Sequence, residues 1–130
     1  MSKQQLPESL PPSGRIRSRR EFIRVFECGV HTADGRIVLY AAFNDKGISR
    51  LGVSVGRGIG NAVRRNRIKR LIREAYRVIQ GELPEGVDWV VIPRPGPEPT
   101  VSELQYSLRS LADRLHIKLM RKEKRRVSQH

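Results

Sequence analysis

Residues 60–77, GNAVRRNRIKRLIREAYR, carry seven arginines and lysines against a single acid, Glu74. Wound on a helix, Arg65, Lys69, Arg73, Asn66, Arg77, Arg70 and Arg67 sweep one broad arc, while Ile68, Leu71, Ile72, Ala75 and Ile79 gather on the opposite side. The arc works against its own helix. Arg65/Lys69, Lys69/Arg73 and Arg73/Arg77 are like-charge i,i+4 pairs, each costing roughly a few tenths of a kcal/mol. Asn61 is placed to cap the helix, so Arg64, Arg65 and Arg67 crowd the end where the macrodipole already adds about half a positive charge. Guanidinium forks, unpaired backbone N–H groups and the dipole all converge there on phosphate. This face is built for a polyanionic partner. Asn66 interrupts it where alanine would be the better helix former, which predicts an amide that hydrogen-bonds the same partner.

Other chemistries find no support in the residues. The 130-residue chain has one cysteine, Cys28, and three well-separated histidines, His31, His116 and His130, without metal-ligand spacing. Its acids are scattered through turns and helix starts, so neither a two-metal carboxylate site nor an acid–base pair is expected. We therefore expect no catalytic residue, metal or cofactor belonging to the protein alone. Gly56, Gly58 and Gly60 fail the dinucleotide fingerprint, because position 61 is asparagine, and the Gly-Lys-Ser/Thr of a phosphate loop is absent. Twenty-six basic against thirteen acidic residues give a net charge of +13. Nucleic acid or an anionic surface would relieve that self-repulsion. No apolar run reaches the roughly 20 residues of a membrane span, and the N-terminus lacks a signal-peptide core, so a cytoplasmic protein without a membrane partner is expected.

The elements that position the basic helix follow from periodicity. Residues 1–14, with Pro7, Pro11 and Pro12 among polar side chains, read as a disordered arm. Ser18 and Glu21 form a capping-box pattern, followed by Phe22, Val25 and Phe26 on one helical face and Gly29 as a stop. RIVLYAAF alternates as a strand, with Ile37, Leu39, Ala41 and Phe43 on one face and Val38, Tyr40 and Ala42 on the other. NDKG then suggests a hairpin to SRLGVSVG. Beyond the basic helix, VDWVVIP has the apolar continuity of a buried strand. Thr100 and Glu103 form a second box, opening a helix with a stripe of Val101, Leu104, Leu108, Leu111, Ala112, Leu115 and Leu119. Residues 15–120 thus form one domain, and 121–130 read as a fraying basic tail.

GNAVRRNRIKR, with its Arg65-Asn66-Arg67 core, resembles the signature of the protein-component family of bacterial ribonuclease P, and the order of elements agrees from about Arg15 to Leu119. The resemblance implies an α+β fold: a compact α/β sandwich resembling a ribosomal protein domain. A mixed sheet of about four strands would have helices on one side, three helices in all, and a left-handed βαβ crossover; a short strand near His31–Ala33 would complete the sheet. It also implies an RNA-binding subunit that assists a catalytic RNA in the Mg²⁺-dependent, endonucleolytic removal of the 5′ leader from precursor tRNA. Mg²⁺ and the active site would then belong to the RNA. Carried over by position, Arg64, Arg65, Asn66, Arg67, Lys69, Arg70, Arg73 and Arg77 would contact the catalytic RNA. Phe22, Phe26, Tyr40 and Asn61 would line a central cleft for the leader, where aromatic faces stack on bases without demanding a sequence. By spacing alone, Phe22 and Phe26 fit a helix core equally well. A ribosomal or other structural RNA-binding protein shares the basic helix. A DNA-binding regulator is disfavoured by the lack of a helix-turn-helix pair, so no DNA partner is expected.

Overall fold

A computed structural model describes residues 10–128. Helix α1 (Arg19–Cys28) leads into strands β1 (Val30–Ala33), β2 (Ile37–Phe43) and β3 (Arg50–Val53). Helix α2 (Ala62–Ile79), strand β4 (Val87–Pro93) and helix α3 (Val101–Ser128) complete the α+β fold. The four strands form one mixed sheet in the order β1-β2-β4-β3, antiparallel except for β3 beside β4.

The helices start where local chemistry directs. Ser18 Oγ accepts from the Glu21 N–H at 3.2 Å, and Gly29 caps the other end of α1. Asn61 Oδ1 accepts from the Arg64 N–H at 2.9 Å. Gly60, at φ 146°, occupies the left-handed region just before it, which a side chain would strain. The α3 box is reciprocal: Thr100 Oγ1 accepts from the Glu103 N–H at 3.1 Å, and Glu103 Oε1 from the Thr100 N–H at 2.9 Å.

Successive residues of β2 face opposite sides of the sheet. Ile37, Leu39 and Ala41 enter the main core with Ile68, Ile72, Ala75, Tyr76 and Ile79 of α2 and the leucine stripe of α3. Ala42 instead joins Val25 of α1, Ile16 and Val90 in a smaller cluster, flanked by Phe22, Tyr40 and Ile92. Helix α1 therefore covers part of the face opposite α2 and α3, and the expectation of helices on one side is corrected. What seats α1 is largely polar. Asp88 of β4, fully buried, accepts from Arg50 Nε and Nη2 at 2.9 and 2.8 Å, from Asn44 at 2.8 Å and from Arg24 of α1. Arg50 also reaches Glu21 of α1 at 2.9 Å.

Three further expectations change. β2 and β3 form no hairpin, because β4 lies between them and pairs with both. A strand apolar on both faces, such as β4, is most stable in the sheet interior. The hairpin is β1–β2, turned at Asp34-Gly35, where Asp34 Oδ1 accepts from the N–H groups of Arg36 and Ile37 at 2.8 and 3.0 Å. The expected arm is tied down from residue 10 onward: Leu10 is 2% exposed in the main core, and Pro12–Gly14 form a 3₁₀ turn. Residues 1–9 of that arm lie outside the described residues. The basic tail, read as fraying, is instead helical to Ser128, its strong helix formers braced by a Glu123–Arg126 ion pair at 2.6 Å; residues 129 and 130 lie outside the described part.

Candidate nucleic-acid interface

Two surfaces carry the residues singled out from the sequence. The first is the outer face of α2. Asn66, Arg67 and Arg70 are exposed, while Arg64, Arg65, Lys69, Arg73 and Arg77 are half-buried along its flanks. Several already have partners within the chain. Arg64 Nη2 donates to the Gly96 carbonyl at 3.1 Å and Arg65 Nη1 to the Gly60 carbonyl at 2.7 Å. Arg67 pairs with Glu98 at 3.1 Å and Arg77 with Glu74 at 2.6 Å. These contacts engage the guanidinium heads and restrict the rotamers of the long side chains. Lys69 and Arg70 lie between them, and no acid among the described residues forms an ion pair with either.

Arg15 extends this surface, which the sequence did not reveal. Its segment runs along the free edge of β3, with the Ile16 N–H donating to the Leu51 carbonyl at 2.9 Å. Arg15 thereby joins Arg67, Arg70, Arg73 and Arg77 around an open groove of about 770 Å³, whose other lining residues are Leu10, Leu71 and Glu74. Burial and the charge of Arg15 lower the pKa of Arg73 from its ordinary value. Convergent guanidinium groups that destabilise one another are the electrostatic condition that a bound phosphate relieves.

The second surface is aromatic and lies on the α1 side of the sheet. Phe26 and Tyr40 meet edge to face with ring centroids 4.9 Å apart, and Phe22 stands 6.4 Å from Phe26. His31, the cross-strand partner of Tyr40, stacks on it at 4.8 Å and 23°. The period-2 face of β2 predicts Tyr40, but His31 enters only through the register of a strand four residues long. The choice between cleft and core for the phenylalanines has a divided answer. Phe22 is half-buried against Gly52, where an added Cβ would stand 2.8 Å from its ring, whereas Phe26 is 37% exposed at the rim. Asn61 caps α2 and takes no part in these ring contacts.

The described residues contain no cluster of three or more His, Cys, Asp or Glu side chains suited to a metal. No described helix is long and apolar enough to cross a membrane. The perturbed carboxylates are structural: a bond from Arg50 lowers the Glu21 pKa, and the bonds that Arg50 and Asn44 make to Asp88 lower its pKa despite the opposing effect of burial.

Comparison with known proteins places these surfaces in a family. The ribonuclease P protein component of Brevibacillus brevis is 43% identical over 98 residues, covering 74% of this chain and 78% of that protein. That of Bacillus cereus strain AH187 is 40% identical over 110 residues, covering 83% and 96%. The structure of the ribonuclease P protein from Thermotoga maritima superposes with a TM-score of 0.70 at 35% identity, covering 77% of this chain and 96% of that one. The Staphylococcus aureus protein gives 0.67 at 35% identity, covering 75% and 91%. The ribonuclease P family model matches residues 10–116, from the buried Leu10 through the basic helix and most of α3. The chain therefore belongs to the ribonuclease P protein family, the protein subunit of that tRNA-processing endoribonuclease.

Proposed function

We propose that the chain binds the catalytic RNA of ribonuclease P through the outer face of α2 and guides the 5′ leader of precursor tRNA across the Phe22–Phe26–Tyr40 cluster. The observation carrying this reading is the groove in which Arg15, Arg67, Arg70, Arg73 and Arg77 converge, with only Arg67 and Arg77 paired to acids, Glu98 and Glu74, among the described residues. Arg64 and Arg65 add charge at the positive end of the helix dipole, and Asn66 supplies an amide for a base edge or a 2′-hydroxyl. On the other face, rings that already pack against one another at a partly open rim offer stacking to any base, as suits a subunit serving many tRNAs. Asn61 fixes the N-terminus of α2 between the two functions. In this reading Mg²⁺ and the hydrolytic step belong to the RNA partner, and the protein contributes affinity and screening of phosphate repulsion.

Reconstitution with a catalytic RNA and a precursor tRNA at low Mg²⁺ tests it. The wild-type protein should restore release of the 5′ leader, whereas a purely structural RNA-binding protein would not. A Lys69→Ala/Arg70→Ala double variant should assemble more weakly, with the dependence of log K on log salt flattened by about 0.7 to 0.9 per lost contact. An unchanged slope would remove these two residues from the interface.

A further inference from the structure

The family match ends at His116, but α3 continues as helix to Ser128. Residues 117–128 carry six basic residues against one acid, Glu123. The favourable charge–dipole effect at a helix C-terminus accounts for Arg125 and Arg126 in the last turn. It does not account for Lys118, Arg121, Lys122 or Lys124. Lys118, Arg121, Lys122 and Arg125 recur at spacings of three, one and three, a single helical stripe in which Lys118/Lys122 and Arg121/Arg125 are unfavourable like-charge pairs. The stripe reaches the edge strand β1, whose His31 borders the aromatic cluster on the other face of the sheet. Lys118 Nζ donates to the carbonyl of His31, whose ring stacks on Tyr40, at 3.0 Å. Lys122 Nζ donates to the carbonyl of Cys28, the last residue of α1, at 2.6 Å. These bonds fasten the extension to strand β1 and to the end of α1. Helix α3 packs over β1 and β2 and α2 over β3, so the extension belongs to the opposite end of the sheet from the α2 groove.

We infer that the extension 117–128 lengthens the leader track: phosphates of a single-stranded 5′ leader that has crossed the aromatic cluster continue along the Lys118–Arg121–Lys122–Arg125 stripe. This inference rests on the leader reading of the aromatic cluster. Twelve helical residues span about 18 Å, room for several successive phosphates. Arg121 and Arg125 are exposed and make no side-chain ion pair among the described residues, leaving both available. Contact there is to backbone, so it adds affinity without sequence preference.

The test uses the reconstituted holoenzyme with mature tRNA and with precursors bearing leaders of about four and about sixteen nucleotides, the range that single-strand binding modules occupy. The variant is Arg121→Ala/Arg125→Ala, which spares the anchoring Lys118 and Lys122. The wild type should gain affinity on passing from the short to the long leader. The variant should lose that gain, with a salt slope shallower by about 0.7 per lost contact for the long leader only. Equal weakening for all three ligands would overturn the inference by placing the stripe on the catalytic RNA, and no change for any would show a solvated helix. Tyr40→Ala tested in parallel keeps the two readings apart: if it leaves the short-leader precursor unaffected, the leader reading of the cluster itself fails.

Discussion

The two faces of the sheet are stabilised by different physics. Toward α2 and α3, strand residues such as Ile37, Leu39, Val87 and Trp89 are sealed beneath two long helices and make one continuous apolar core. Toward α1, among the described residues only Ile16, Val25, Ala42 and Val90 are buried apolar residues of the cluster, and the helix is held by the Asp88–Arg50–Arg24–Glu21 network. Directional bonds locate α1 over one part of the face and leave the rest uncovered. The rim of Phe26, Tyr40 and His31 results from that economy of apolar contact. Its counterpart on α2 shows the same separation: the inward side is core, and the outward side carries a charge that the core does not require.

The largest expected effect strikes the network. Asp88→Ala leaves Arg50 buried without its main partner and should cost about 3 to 5 kcal/mol, read from denaturant unfolding. A loss below about 1 kcal/mol would show that apolar packing alone seats α1. The pH dependence follows the same carboxyl. The folded pKa of Asp88 lies below the ordinary 3.8, so its stabilisation is complete above that pH and is lost as pH falls through the folded value. Acid unfolding should therefore begin at lower pH in the wild type than a carboxyl with an unshifted pKa would predict.

Tyr40→Ala comes next and separates rim from core. Precursor tRNA binding should weaken by about 1 to 3 kcal/mol per stacked base lost, while mature tRNA binds as before. A collapse of the melting temperature, or equal weakening for both tRNAs, would make Tyr40 a packing residue.

The smallest effect concerns Asn66. Asn66→Ala should preserve thermal stability or raise it by about half a kcal/mol, since the residue is exposed on α2. Affinity for the catalytic RNA should fall in the same variant. Melting curves and RNA titrations together decide it, and destabilisation with unaltered binding would make Asn66 structural.

Much of the architecture was legible because its causes are local. The caps at Ser18, Asn61 and Thr100 are side-chain bonds to backbone three residues away, and the stripes of α2 and α3 repeat within a few turns. The basic wall was legible for the same reason, being one face of one helix. The tail reads as fraying for equally local reasons, its basic run and its lack of apolar periodicity, whereas the bonds from Lys118 and Lys122 go to carbonyls about ninety residues earlier in the chain.

What the amino-acid order determined unaided was therefore most of the elements, β1 excepted, their polar and apolar faces and the basic character of the outer face of α2. Only the tertiary structure decided that β4 separates β2 from β3, that α1 crosses to the opposite face, that Arg15 completes the groove and that His31 stacks on Tyr40. Each of these depends on residues far apart in sequence, whose pairing reflects the whole balance of burial and hydrogen bonding. Arg50 shows the limit most clearly. A charged residue in a short strand, it is nevertheless 7% exposed, because Asp88 from the neighbouring strand and Glu21 from α1 meet it there. A buried charge is tolerated only when its partners arrive, and no local pattern announces that they will.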